Sequence, residues 1–144
     1  MVIALCIGAL SGVLAVIAYQ RKRSAHFKAL ASRFGFMYLG NALPKSLTVS
    51  GTDIANLSSV WNVIDGERQG VRVVAFDCKI GTGKGSRRRT VIAVQRPDEG
   101  LRYLAGNLEL HRSNDWSLLY GPRASMIQPG LMPVTELSGY IEAL

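Results

Sequence analysis

Two cysteines and two histidines are all that this 144-residue sequence offers for thiol or imidazole chemistry. A disulfide framework needs a dense, even set of cysteines, and a zinc site needs Cys and His clustered at short spacing. Neither pattern is present, so no metal site is expected and no cofactor is implied. His26 and His111 stand far apart, and nothing in the spacing ties either to a nucleophile. No catalytic residue is assigned. Asp65 and Glu67 are expected in a turn rather than as an acid–base pair. Asp77 is expected at the polar end of a strand, paired with Arg87 or a neighbouring cation. The run Gly81-Thr82-Gly83-Lys84-Gly85-Ser86 lacks the four-residue spacer of a phosphate loop. A strand pattern follows it, whereas phosphate loops and dinucleotide fingerprints open onto a helix N-terminus. No internal repeat is visible.

Charge is missing from residues 1–19, which contain no Asp, Glu, Lys, Arg or His. Nineteen residues of helix span roughly 28 Å, close to the hydrocarbon thickness of a bilayer. With no polar face, the segment predicts a transmembrane helix over 1–20, followed by a domain over 21–144. A cleaved signal peptide would carry positive charge before the apolar run and a small-x-small site after it. Here the positive charges come afterwards, as Arg21, Lys22 and Arg23. The positive-inside rule then predicts a single-pass protein of the inner (cytoplasmic) membrane, N-terminus outside and domain in the cytoplasm. Ala4, Gly8 and Gly12 share a small-residue face that suits a homodimer or a membrane-protein partner. Cys6 and Cys78 would occupy different compartments and could not pair.

Acidic residues are absent from two further stretches. One holds Arg21, Lys22, Arg23, Lys28 and Arg33. The other holds Lys79, Lys84, Arg87, Arg88 and Arg89. Elsewhere seven basic residues are outnumbered by ten acidic ones, so the net charge of +7 comes from two patches. The first patch reads as a topology signal. The second reads as a hairpin tip that contacts anionic lipid headgroups of the bilayer or a protein partner. Each cation near an anionic leaflet contributes about 1 kcal/mol. Nucleic acid is the less favoured partner. Trp61 and Trp116, the aromatics that would stack on bases, fall in apolar strand contexts and are expected in the core.

The periodicities predict an α+β domain with an antiparallel β-meander sheet, flanked by an N-terminal and a C-terminal helix. Phe27, Leu30, Ala31 and Phe34 fall at i, i+3, i+4 and i+7, with Ser24 as a possible cap and Gly35 as the stop. Residues 36–57 give no clear pattern. Strands are expected at 59–64, 71–80 and 90–95, with Asp65-Gly66 and Gly70 marking a hairpin. In the second strand Val74, Phe76, Cys78 and Ile80 form one apolar face. Residues 98–100 read as a turn. Leu101–Ala105, Leu108–Arg112 and Trp116–Tyr120 read as short strands, with Asn114-Asp115 as a turn. Residues 129–133 read as loop. Leu137, Tyr140, Ile141 and Leu144 predict a last helix starting near Pro133.

The central block Asn62-x-x-x-Gly66-x-x-x-Gly70, Val71 to Phe76-Asp77, and Gly81-Thr82-Gly83 with its basic tail resembles a group of uncharacterised bacterial proteins. Gly35-Phe36 and Leu131-Met132-Pro133 resemble theirs too. The likeness covers about a third of the chain, and Cys78 and Ile80 depart from the aromatic residues common there. It implies a membrane helix followed by a β-rich domain of unknown function. The resulting expectation is a membrane-tethered accessory or binding domain. The alternatives are an enzyme domain with no recognisable site and a structural subunit of a membrane complex.

Overall fold

The computed structural model describes residues 2–49, 51–95, 101–106, 108–121 and 130–144, without the side chains of 2–11 and 53. The chain opens with α1 (Val2–Phe34), 33 residues without a break. Gly35, at φ +70°, ends it, and the Phe36 amide returns to Ala31 O at 2.8 Å. This is the left-handed glycine stop that satisfies orphan helix carbonyls. Ser24 caps nothing, because the helix passes through it.

Six antiparallel strands follow: β1 (Met37–Gly40), β2 (Leu57–Arg68), β3 (Val71–Ile80), β4 (Arg87–Val94), β5 (Glu109–Ser113) and β6 (Trp116–Tyr120). They lie in the order β1-β2-β3-β4-β6-β5, so the meander is broken at its end, where β6 pairs with β4 and β5 takes the edge. A short helix, α2 (Leu101–Ala105), stands where a strand was expected. Its Leu101 and Ala105 are buried at the i, i+4 spacing of a helix face, whereas Arg102 and Tyr103 are exposed. The last helix, α3 (Val134–Ala143), starts directly after Pro133 as predicted. β1 lies in the stretch that gave no pattern. The expected turn at 98–100 falls outside the described residues, as does all but the end of the 129–133 loop.

Strand alternation sorts the core onto two faces. Ile64, Val73, Ala75, Ile92, Val94 and Leu119 meet Phe27, Leu30 and Ala31 of α1 and Leu137 and Ile141 of α3. Val63, Val74, Phe76, Val91, Leu118 and Tyr120 face the other way and are covered by Leu47 and Ile54 from the segment between β1 and β2. Trp116 is buried there, and its indole N–H donates to Ser46 O at 3.0 Å.

The β2–β3 turn is Gln69-Gly70, both at positive φ (51° and 76°), the pairing a two-residue hairpin demands. Asp65 and Gly66 are not in the turn; they lie within β2. Gly66 has a different task. A Cβ there would sit 2.1 Å from Phe36 Cδ1, so the ring rests on the bare strand. Asp65 instead accepts both arms of the Arg72 guanidinium, at 3.0 and 2.7 Å.

The expected transmembrane helix over 1–20 is overturned. Among the described residues, no helix is long and apolar enough to cross a membrane. From Arg23 onward the helix is part of the domain core. The dimerisation face proposed through Ala4, Gly8 and Gly12 loses its premise. Ala4 and Gly8 have no described side-chain surroundings, and Gly12 is exposed with nothing within 4 Å of an added Cβ.

Candidate anion-binding surface

The basic residues that the sequence grouped together divide by burial. Arg23 is 5% exposed and spends its guanidinium inside the domain. Its Nε donates to Asp77 Oδ2 at 2.6 Å, and its Nη2 donates to Asp77 Oδ1 at 2.8 Å, Thr90 Oγ1 at 3.0 Å and Met132 O at 2.9 Å. Burial alone would lower the Arg23 pKa. Its hydrogen bonds and charge attraction to Asp77 outweigh that, and the net shift is upward. Arg23 therefore stays charged in the interior.

Asp77 is fully buried, and both oxygens are saturated. Thr90 Oγ1 donates to Oδ1 at 2.8 Å and Asn62 Nδ2 to Oδ2 at 3.0 Å. Asn62 is set by a bulge. Between the pairs Trp61↔Asp77 and Ile64↔Ala75, β2 carries one residue more than β3, and Asn62 takes φ 55°. Asn tolerates this left-handed conformation better than most residues. Its carbonyl oxygen accepts from Ser24 at 2.7 Å and Tyr38 at 3.2 Å. One network thus ties α1, β1, β2, β3, β4 and the segment before α3. Sequence reasoning expected Arg87 as the partner of Asp77 and a topology signal in Arg23. It missed Asn62 and Thr90. A carboxylate flanked by apolar strand residues signals a buried cation, though not which one.

Arg89 is also withdrawn, at 3% exposure. Its Nη1 donates to Glu109 Oε2 at 3.2 Å, and its guanidinium lies 5.6 Å from the Tyr120 ring. The cross-strand neighbour of Arg89, Cys78, is buried. Burial, reinforced by the Asp77 charge, pushes its thiol up to about 12, so it is an inert filler at neutral pH.

What remains outside is Lys84, on the single helical turn Gly83–Gly85, with Arg87 and Arg88, all exposed, and the half-buried Lys79. No described residue forms an ion pair with any of these four. Lys79 and Arg88 stand directly opposite on β3 and β4, so their side chains share the face that carries α1. Like charges in that register repel. Arg87 and Arg89 project to the other face beside Ile80 and Gly81. There a polar cleft of about 270 Å³ is lined by Asn56, Ile80, Gly81, Gly85, Arg87 and Arg89.

The two basic patches also share an end of the domain. Ser24 lies beside Asn62, and Phe34 lies under Arg68, so α1 runs in the direction of β2. Its N-terminal half therefore leaves the sheet at the end where β3 turns into β4. Arg21 and Lys22 are exposed there. Beyond them Val13, Leu14, Val16, Ile17 and Tyr19 are 44–61% exposed.

Elsewhere, a groove of about 510 Å³ runs between α1 and α3 and contains His26, Arg33, Ser138 and Glu142. An Arg33–Glu142 ion pair crosses it, and Ser138 bonds both partners. His111 stacks edge-on against Tyr120 at 4.9 Å and lies 3.7 Å from Glu109. Among the described residues, no three His, Cys, Asp or Glu side chains cluster so as to hold a metal. No known protein family, curated protein or solved structure matches the chain.

Proposed function

We propose that this protein is a binding module whose basic end docks peripherally on an anionic phospholipid surface. The carrying observation is the coincidence of charge and apolar surface at one end. Lys79, Lys84, Arg87 and Arg88 have no acidic partner among the described residues. Arg21 and Lys22 add to them, and the exposed apolar residues 13–19 of α1 adjoin. A headgroup layer offers negative charge at its surface and apolar chains just below, which suits that combination. The Lys79–Arg88 juxtaposition fits the same reading. A repulsive cross-strand pair costs stability, and such local conflicts cluster at functional positions.

Vesicle co-flotation of the full chain tests the proposal. Phosphatidylglycerol vesicles are expected to take up the protein at low salt and release it at high salt, with weaker uptake by neutral phosphatidylcholine. Replacing Lys79, Lys84 and Arg88 together by Ser removes about 3 kcal/mol of attraction, or roughly 100-fold in affinity. Arg89 is left intact because it is part of the interior. Equal uptake by neutral and anionic vesicles, or indifference to the triple change, would overturn the reading.

A further inference from the structure

The geometry points to a discrete phosphate-binding site in the cleft beside the β3–β4 turn, on the face opposite α1. It deepens, and for its lipid source rests on, the anionic-surface reading above. Arg87 and Arg89 are two residues apart on β4, so both guanidinium groups lie on one face, next to Ile80 and Cys78 of β3. They line the same cleft of about 270 Å³. Arg89 is 97% buried, and its Nη1 is engaged by Glu109. It is a fixed fork rather than a waving side chain, and ordering it on a ligand costs little entropy. Arg87, exposed at the rim, supplies the second fork. Guanidinium forks match phosphate oxygens in pairs, which a solvated lysine does not.

The other walls keep the cleft open. Gly81 takes φ +75°, and a Cβ at Gly85 would meet nothing within 4 Å. Asn56 adds an amide that can donate to one oxygen. Glu109 offsets one of the two charges, so the set carries one net positive charge. That balance favours a group with several acceptor oxygens able to use both forks and the amide. A phosphomonoester meets the requirement, either at the end of a lipid headgroup or as a free phosphate.

Two arms distinguish these sources. Inorganic phosphate is titrated into the full chain against chloride of equal ionic strength, and backbone amide shifts are followed by NMR. Saturable shifts at Asn56, Gly81 and Gly85 are expected. They should be lost in Arg87→Gln and kept in Arg88→Gln, which removes the same charge from the opposite face. In the second arm, phosphatidic acid and phosphatidylglycerol vesicles are compared at matched surface charge. A preference of at least about tenfold for phosphatidic acid, abolished by Arg87→Gln alone, assigns the cleft to a lipid phosphomonoester. Saturable shifts without any vesicle uptake assign it to a soluble phosphate and overturn the surface reading only. Shifts that are absent, or equally reduced by the two variants, overturn the cleft. If both anionic vesicles still take up the protein equally, the surface reading stands without it.

Discussion

Arg23 and Arg88 come from two stretches of the chain that look alike in sequence, each a triplet of cations with no acid nearby. In the fold they are opposites. Arg23 is enclosed and bonded to Asp77, Thr90 and Met132 O. Arg88 is exposed and faces another cation, Lys79. The same contrast divides Arg89 from its neighbours Arg87 and Arg88. Charge density along a sequence therefore locates a patch but does not say which members are structural and which are available. Helix phase turns Arg23 inward and leaves Arg21 and Lys22 outside, strand alternation puts Arg88 on the face opposite Arg89, and position along the strand separates Arg89 from Arg87, which shares its face nearer the turn.

Substitutions that break the buried side of this contrast should have the largest effect. Arg23→Ala leaves the Asp77 carboxylate buried without its cation and should cost about 3–5 kcal/mol, read by urea denaturation. The pair Arg23→Met with Asp77→Leu should recover only part of that loss, because both charges go but Asn62 Nδ2 and Met132 O lose their partners. Gly66→Ala comes next. The added methyl collides with the Phe36 ring, and a loss of about 1–3 kcal/mol is expected. Phe36→Leu should restore part of it in the double variant.

The exposed side should behave differently. Arg88→Glu turns a repulsive pair into an attractive one and should stabilise the fold by about 0.2–1 kcal/mol, while weakening uptake by anionic vesicles. Stability and binding moving in opposite directions would sharpen the distinction; a fall in both would erase it. Arg87→Ser should change stability least, by less than about 0.5 kcal/mol in the same denaturation assay.

Much of the architecture was legible because periodicity reports burial directly. β3, β6 and α3 fall where their apolar patterns put them, and Gly35 stops α1 as expected. The failures have separate causes. Leu101–Ala105 is too short for its pattern to separate helix from strand. β1 is only four residues long, and its apolar residues Met37, Tyr38 and Leu39 run together without alternation, too short a stretch to read. Asp65-Gly66 is a strong turn dipeptide, yet the site needs a bare strand under Phe36, and Gln69-Gly70 makes the turn instead. The reading of 1–20 as a membrane span rested on its lack of charge, and among the described residues no helix is long and apolar enough to cross a membrane. The candidate site was half legible. Its cations were named in advance, but one wall of the cleft, Asn56, lies 31 positions before Arg87, and only the sheet register brings the two together.

Arg23 has one acceptor in the backbone of Met132, 109 residues later in the chain. This bond sets a timetable for folding. Its partner Asp77 is 54 residues away and Thr90 67. Contacts so distant in sequence close large loops before they contribute anything, and they slow the approach to the native state. On a ribosome, α1 emerges before the strands it packs on, and its arginine waits for the 109 residues up to Met132 before it is fully bonded. Until then the helix holds an unmatched cation and an uncovered apolar stripe, so an element made ahead of the sheet is secured only after it.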